Sequence, residues 1–319
     1  MTRRTYWHLE GLRRKPTAYD IASSRLLYYP ERGFAVETPV VAWYARYQQG
    51  SPLRCSDWEG FADPRQTTYT SYVELQHKRE TYVDGLLAAI DATGYDQRLS
   101  PHWLPTLERV LAPLRYPCHG LQMAAAYVGH MAPGGRIVIC AALQAGDEIR
   151  RIQRLAYRLR QLQQTHPELG AGAKQAWQTD PAWQPLRRVI EQLLVTYDWG
   201  KAFAALQLVV KPAFDMLFVA QLGQIASARG DEVLAKILLS LDEDCTWHRA
   251  WTKALVAHAI ADEPANAGVL RAWIERWRGP VLDAVECFAT EVFAPVSVPI
   301  PNIATRVEET WQATWSGIP

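Results

Sequence analysis

The sequence predicts an all-α protein: a helical bundle preceded by an extended N-terminal arm. Three observations carry this. Apolar residues recur at helical spacing over long stretches, period-two strand patterning is nearly absent, and Gly and Pro fall in short gaps between stretches that often exceed twenty residues. Long helices joined by short loops are the pattern of a bundle, and no repeat of fixed period suggests a solenoid. With 319 residues, 49% of them hydrophobic, the chain is long enough for a substantial core.

Residues 1–60 form the arm. "RRKPTAYD", "LLYYPERGF" and "VVAWYARYQQGSPL" are rich in Pro, Arg and aromatics but poor in periodicity, with turns at Pro16, Pro30, Gly33 and Gly50-Ser51-Pro52. An arm with short helices buries its own aromatics poorly, so it is expected to lie on another surface, that of its own body or of a partner. The bundle spans 61–295. Asp63 is placed to cap its first helix and Pro64 to sit in the first turn. Tyr69, Tyr72, Val73, Tyr82, Val83, Leu86 and Leu87 mark that helix's inner face. A short helix follows Ser100-Pro101, another covers about Leu114–Met131, and Pro133-Gly134-Gly135 separates it from Arg136–Thr165. Helices over Leu186–Val210 and Pro212–Arg229 precede long ones over Asp231–Ala261 and Ala265–Phe293, the last broken at Gly279-Pro280. Residues 296–319, opening "VSVPIPN", are expected as an extended tail.

Composition narrows the partners. The formal net charge of +1 offers no electrostatic attraction to nucleic acid or an anionic membrane. The two most apolar runs are interrupted, one by His130 and Gly134-Gly135, the other by Lys211 and Asp215, so no membrane span is expected. "MTRRTYWHLE" lacks the apolar core of a secretory signal, which predicts a cytoplasmic protein. Five widely spaced cysteines with no C-x-x-C pair argue against a disulfide framework or zinc site. Thirteen tryptophans and fourteen tyrosines are many, and such side chains concentrate at interface centres. Trp7, Tyr19, Trp43, Tyr47 and Trp58 of the arm are the candidate interface anchors.

In "YVELQHKRE", Glu74 and His77 have the Glu-x-x-His spacing with which bundle proteins hold paired metal ions. That centre needs two such pairs and a glutamate from each of two further helices. No other Glu has a His three residues on; Cys245 stands three before His248, and no carboxylate lies between Leu111 and Gly146. A metal role for Glu74 and His77 is disfavoured. No nucleophile elbow, P-loop or dinucleotide fingerprint is present. The basic run Arg150, Arg151, Arg154, Arg158 and Arg160 reads as a solvated or partner-facing stripe, with Asp147 and Glu148 placed to pair along the helix. His119 and Gln122, in an apolar helix, read as buried polar groups satisfied by the core.

Several stretches, in order, resemble one family. They are Trp7-His8-Leu9 with "RRKPTAYD", "SPL" at Ser51–Leu53, "DWEGFADPRQTTYTSY" from Asp57, and "PLRYPCHGLQMAAAYVGHMAP" from Pro113. "YDWGKAF" from Tyr197, "LVVKP" from Leu208, "HRAWTKALVAHA" from His248 and "WIERW" from Trp273 complete the set. The chain resembles the hydroxylase β subunit of bacterial multicomponent di-iron monooxygenases, on the toluene monooxygenase branch. The resemblance implies a ferritin-like, ribonucleotide-reductase-like bundle with no cofactor or catalytic residue of its own. It implies an iron-bearing α subunit and a γ subunit in an (αβγ)2 hydroxylase. An effector protein, a Rieske ferredoxin and a reductase would act transiently. "DEDCTWH" (Asp242–His248) resembles the place where α presents its second Glu-x-x-His. The competing readings are an autonomous di-iron oxidase using Glu74 and His77, and a helical adaptor unrelated to oxygen chemistry.

Overall fold

The computed structural model describes residues 7–24, 39–91, 93–298 and 301–318. Among these there is no strand. The helices are α1 (Ala18–Ser23), α2 (Pro39–Tyr44, continued by a π-helical turn, Ala45–Gln49) and α3 (Tyr69–Asp91). Next come α4 (Leu104–Met131), α5 (Gly135–Thr165), α6 (Ala173–Thr179) and α7 (Gln184–Leu194). The centre is α8 (Trp199–Ala228), which contains two π-helical segments, Ala204–Val210 and Met216–Gln221. Around it lie α9 (Glu232–Asp262), α10 (Asn266–Phe288, with a π-helical extension Ala289–Phe293) and α11 (Ile303–Trp315). By length and composition α8 could cross a membrane, but 94% of its most apolar window is buried inside the bundle, so it is the core helix.

The sequence places α5 and α9 to within a residue, because each start carries a clear signal: Pro133-Gly134-Gly135 before α5, which has no side-chain cap, and the capping Asp231 before α9. Asp231 accepts from Leu234 N at 3.1 Å and so opens α9. Elsewhere tertiary contacts override local signals. Asp63 does not start α3: its carboxylate accepts from Arg65 N and Thr67 N, and Gln66 adopts φ 50°, which a helix cannot contain. The helix begins six residues later, where the Thr68 hydroxyl accepts from Ser71 N. Of its expected inner face, Val83 and Leu87 are buried, whereas Tyr69, Val73 and Tyr82 are exposed. His119, expected in the core, is also exposed.

Prolines that predicted breaks lie inside continuous helices. Pro113, just before the expected start at Leu114, sits within α4, as does Pro117, already expected inside that helix, and Pro280 lies within α10. A helical proline leaves the carbonyl four residues earlier without its N–H partner. For Pro113 that carbonyl is Arg109 O, and the Trp183 indole donates to it at 3.0 Å. For Pro212 it is Leu208 O, which accepts from Trp315 Nε1 at 2.9 Å, while Trp311 Nε1 reaches Val209 O at 2.9 Å. Several of the many tryptophans are therefore donors for backbone groups that proline and π-helical geometry release. This also corrects the expected tail. Residues 303–315 are not extended: they form α11, whose Val307 and Trp311 are buried on α8. Conversely, the single helix expected over 186–210 is divided at 195–198, where Asp198 caps α8 by accepting from Lys201 N.

Residues 39–61 lie on the bundle itself. Glu59 accepts from Gly135 N at the start of α5, where a carboxylate meets the helix dipole. Arg136 donates to Phe61 O and Ser23 Oγ. At Gly200 a Cβ would meet Ser51 Oγ at 2.7 Å, so only glycine allows the arm this close to α8.

Candidate functional site

Four helices place a charged cluster in the middle of an otherwise apolar bundle. α5 contributes Asp147, Glu148, Arg150, Arg151 and Arg154; α8 contributes Lys211 and Asp215; α9 contributes Asp244, Cys245 and His248; α3 closes it with Tyr72, Gln76, Arg79 and Glu80. The arginine run expected on the surface is thus mostly inside. Arg150, Arg151, Arg154 and Arg158 are buried and only Arg160 is exposed, because each buried one meets a carboxylate from another element.

At the centre two cations share two carboxylates. Lys211 Nζ lies 2.7 Å from both Asp215 oxygens, 2.9 Å from Glu148 Oε1 and 3.6 Å from Cys245 Sγ. Arg151 Nη2 lies 2.9 Å from Asp215 Oδ1 and 2.8 Å from Cys245 Sγ, and its Nη1 is 3.4 Å from Glu148 Oε2. Glu148 therefore bridges the cations through its two oxygens, and Asp215 Oδ1 touches both. The formal charges, Lys211⁺, Arg151⁺, Glu148⁻ and Asp215⁻, cancel. Burial alone would discharge such groups. It pulls the lysine down, as does Arg151, but the Asp215 and Glu148 carboxylates outweigh that and hold Lys211 above its ordinary value. Burial likewise raises Asp215, yet Lys211 and Arg151 hold it well below the usual carboxylate range. Burial pushes the Cys245 thiol up, so it stays protonated.

Beside this centre, His248 Nε2 is 2.9 Å from Asp147 Oδ2, while Asp147 Oδ1 accepts from Tyr72 and Gln76. Burial, then the charge of Lys211, lowers His248 to about 3, so the ring is neutral and donates from Nε2. Its Nδ1 is buried without a partner. Burial raises Asp147 to about 6 despite the Tyr72 hydrogen bond. An outer ring of pairs, Arg150 with Asp244 and Glu80 and Arg79 with Asp244, completes the cluster.

The residues do not fit a di-iron centre of the kind the resemblance places in the α subunit. Two i,i+3 pairs face each other, Glu148/Arg151 on α5 and Cys245/His248 on α9, and each retains one half of a Glu-x-x-His pair. Arg151 and Lys211 fill the space between the carboxylates. Glu74 and His77 are exposed on α3, away from this cluster. Among the described residues no group of three or more His, Cys, Asp or Glu side chains is arranged to hold a metal ion. The sequence signal for the real cluster was an ion pair, Lys211-x-x-x-Asp215, inside the most apolar helix; it read as an interruption of a membrane span.

The predicted anchors separate into two kinds. Tyr19 is only 5% exposed: its hydroxyl accepts from Asp63 N, and Arg136 covers its ring, so it packs on its own chain and leaves the anchor set. Trp58 is half-buried edge-on against Trp199, with centroids 5.1 Å apart. Trp43 and Tyr47 keep exposed surface and form a cluster with Tyr197 and Tyr127. Trp43 Nε1 donates to Tyr127 OH, which donates to Tyr197 O. Tyr127 and Tyr197 were not among the sequence candidates. The side chain of Trp7 lies outside the described residues.

Comparison with known proteins agrees with this architecture. Residues 43–263 match the family described as Methane/Phenol/Alkene Hydroxylase. The toluene-4-monooxygenase hydroxylase component subunit beta of Ectopseudomonas mendocina is 38% identical over 88% of this chain and 87% of its own length. A chain from the structure of toluene 4-monooxygenase with toluene bound in its resting active site superposes with a TM-score of 0.87 at 36% identity, covering 91% of this chain and 97% of that one. More distantly, the methane monooxygenase component A alpha chain of Methylosinus trichosporium is 25% identical over 75% of this chain and 44% of its own length. This chain belongs to the methane/phenol/alkene hydroxylase family.

Proposed function

We propose that the chain is the non-catalytic β subunit of the hydroxylase of a multicomponent monooxygenase, which inserts one atom of dioxygen into an aromatic hydrocarbon or alkene. Its role is to scaffold an α subunit that carries the di-iron centre. The observation that carries this reading is the 38% identity, over nearly the whole chain, to a protein named as such a subunit. The centre of the bundle supports it, since Arg151 and Lys211 stand between the carboxylates that would otherwise meet metal. The likeness to an alpha chain supports a partner of related fold. Trp43, Tyr47, Tyr127 and Tyr197 are the aromatic anchors on the arm side, where large rings still reach solvent. A γ subunit, an (αβγ)2 assembly, and an effector, ferredoxin and reductase complete the proposed system.

The test is gentle purification of the tagged chain from its own host, with iron assayed in the same sample. The expected result is a larger helical chain with two Glu-x-x-His motifs, and iron that follows it on separation. The chain arriving alone with about two irons bound, the count of a di-iron site, would overturn the proposal. Trp43→Ala with Tyr197→Ala is expected to weaken the association while leaving the helical content unchanged.

A further inference from the structure

Away from the charged cluster, a cleft of about 590 Å³ is lined by two π-helical segments, Met216–Gln221 through its last residue and Ala289–Phe293 at the end of α10, and by the start of α11. We propose that this cleft binds a primary ammonium group carried on a short apolar chain. The inference goes beyond the subunit reading and does not depend on it, because it concerns only side chains of this chain.

Four observations carry it. The first is Gln221, which is 2% exposed and whose Oε1 is buried with no hydrogen-bond partner. A buried amide oxygen left unbonded is costly, so it marks a place where a donor is wanted. The second is charge. Among the described residues Glu286, half-buried, is the one ionisable side chain lining the cleft, so no cation of the lining cancels it. The third is the character of the remaining polar groups. The Thr290 hydroxyl stands at the rim and can accept. Asn302 Oδ1 already accepts from Ala304 N and Thr305 N, which answers the positive end of α11, whereas the C-terminal end of α10 adds partial negative charge. The fourth is the wall, where Phe293, Val298 and Ile303 supply apolar surface.

An ammonium group complements this lining, with three donors and one positive charge for an unbonded amide oxygen and an unpaired carboxylate. Its methylene stem lies along the apolar wall, as lysine stems do elsewhere. An anion would be repelled by Glu286, and a neutral alcohol would leave that charge unanswered. The size of the cleft is ordinary for a small-molecule site, and π-helical turns are frequent at such places.

The experiment uses the assembly as purified, and n-butylammonium is the probe. 1-Butanol and butyrate are its neutral and anionic counterparts of equal chain length. Saturation-transfer NMR titrations are expected to show saturable binding of butylammonium with a Kd of about 1–10 mM, within reach of a ligand of about five non-hydrogen atoms. Butanol is expected to bind about 10-fold more weakly or worse, the factor that one charge-assisted hydrogen bond supplies. Butyrate is expected not to bind. Glu286→Gln is expected to abolish the preference for the cation, and Gln221→Leu to weaken butylammonium several-fold. Glu74→Gln, which removes an exposed carboxylate elsewhere, should titrate as wild type. Butanol bound as tightly as butylammonium, or both cleft variants titrating as wild type, overturns the proposal. If butylammonium does not bind, carbodiimide coupling decides whether a partner already fills the cleft. A Glu286 carboxylate found joined to a partner's lysine by mass spectrometry upholds the ammonium site and makes that side chain its occupant. Neither binding nor coupling sinks it.

Discussion

Arg158 offers the cleanest measure of how much the buried charges matter to this fold. Its side chain is completely enclosed, with Nη1 and Nη2 donating to Asp96 at 2.9 and 2.7 Å. Nη2 also lies 3.7 Å from Asp231, which caps α9 and accepts from the Trp103 indole. Replacing Arg158 by Met keeps much of the apolar stem but leaves Asp96 and Asp231 without a cation. Removing one partner of a buried pair costs about 3–5 kcal/mol, and a bidentate arginine–carboxylate geometry belongs near the upper end. Against a total stability of about 5–15 kcal/mol that is severe. The variant is expected to melt roughly 6–20 °C lower, at about 2–4 °C per kcal/mol for a large domain. The assay is urea unfolding followed by circular dichroism, on a cycle of wild type, Arg158→Met, Asp96→Asn and the double variant. The double variant is expected to recover at least about 1.5 kcal/mol of the summed single losses, the coupling of groups in direct contact. Arg158→Met within about 1 kcal/mol of wild type, or a cycle additive to within about 0.5 kcal/mol, would refute the reasoning.

Other consequences concern pH, backbone satisfaction and the rejected ligands. Asp147 is raised to about 6 by burial, so as pH climbs from about 4 to 6 the unfolded chain ionises first and this group's contribution is lost. His248, lowered to about 3 by burial, acts oppositely: only the unfolded chain takes up its proton as pH falls below about 6.5, so stability falls towards pH 3. The two slopes oppose each other between pH 4 and 6; Asp147→Asn leaves the histidine slope unopposed, so urea midpoints should rise more steeply with pH there than in wild type. Trp183→Phe strands Arg109 O and is expected to cost about 1–3 kcal/mol for the carbonyl alone, beyond any loss of packing. Adding Pro113→Ala restores a helical N–H to that carbonyl, and a double variant no more stable than Trp183→Phe in urea would contradict this account. Glu74→Gln/His77→Gln, both on the exposed face of α3, should change stability by less than about 0.5 kcal/mol and leave the iron content of the purified assembly unaltered.

The sequence by itself determined the all-α class and the long helices α5 and α9, and it disfavoured Glu74 and His77 as ligands for want of a second Glu-x-x-His pair. These are local properties: apolar spacing over a few turns, a capping aspartate, and a ligand spacing that can be counted. What only the tertiary structure decided was where charge and proline go. Arg151 reads as one step of a solvated stripe until α8 and α9 bring Asp215 and Cys245 to it from 64 and 94 residues away. Pro113 reads as a helix break until Trp183, 70 residues on, supplies a donor to the stranded carbonyl. Residues 303–315 read as tail until α8 offers Trp311 and Trp315 the backbone oxygens their indoles need. For ordinary residues the local preference is worth less than about 1 kcal/mol, whereas an unpaired buried charge costs several; for Pro113, whose helix penalty is about 3 kcal/mol, the indole that satisfies the stranded carbonyl removes part of that cost. The long-range partner therefore decides, and it is invisible until the chain is folded.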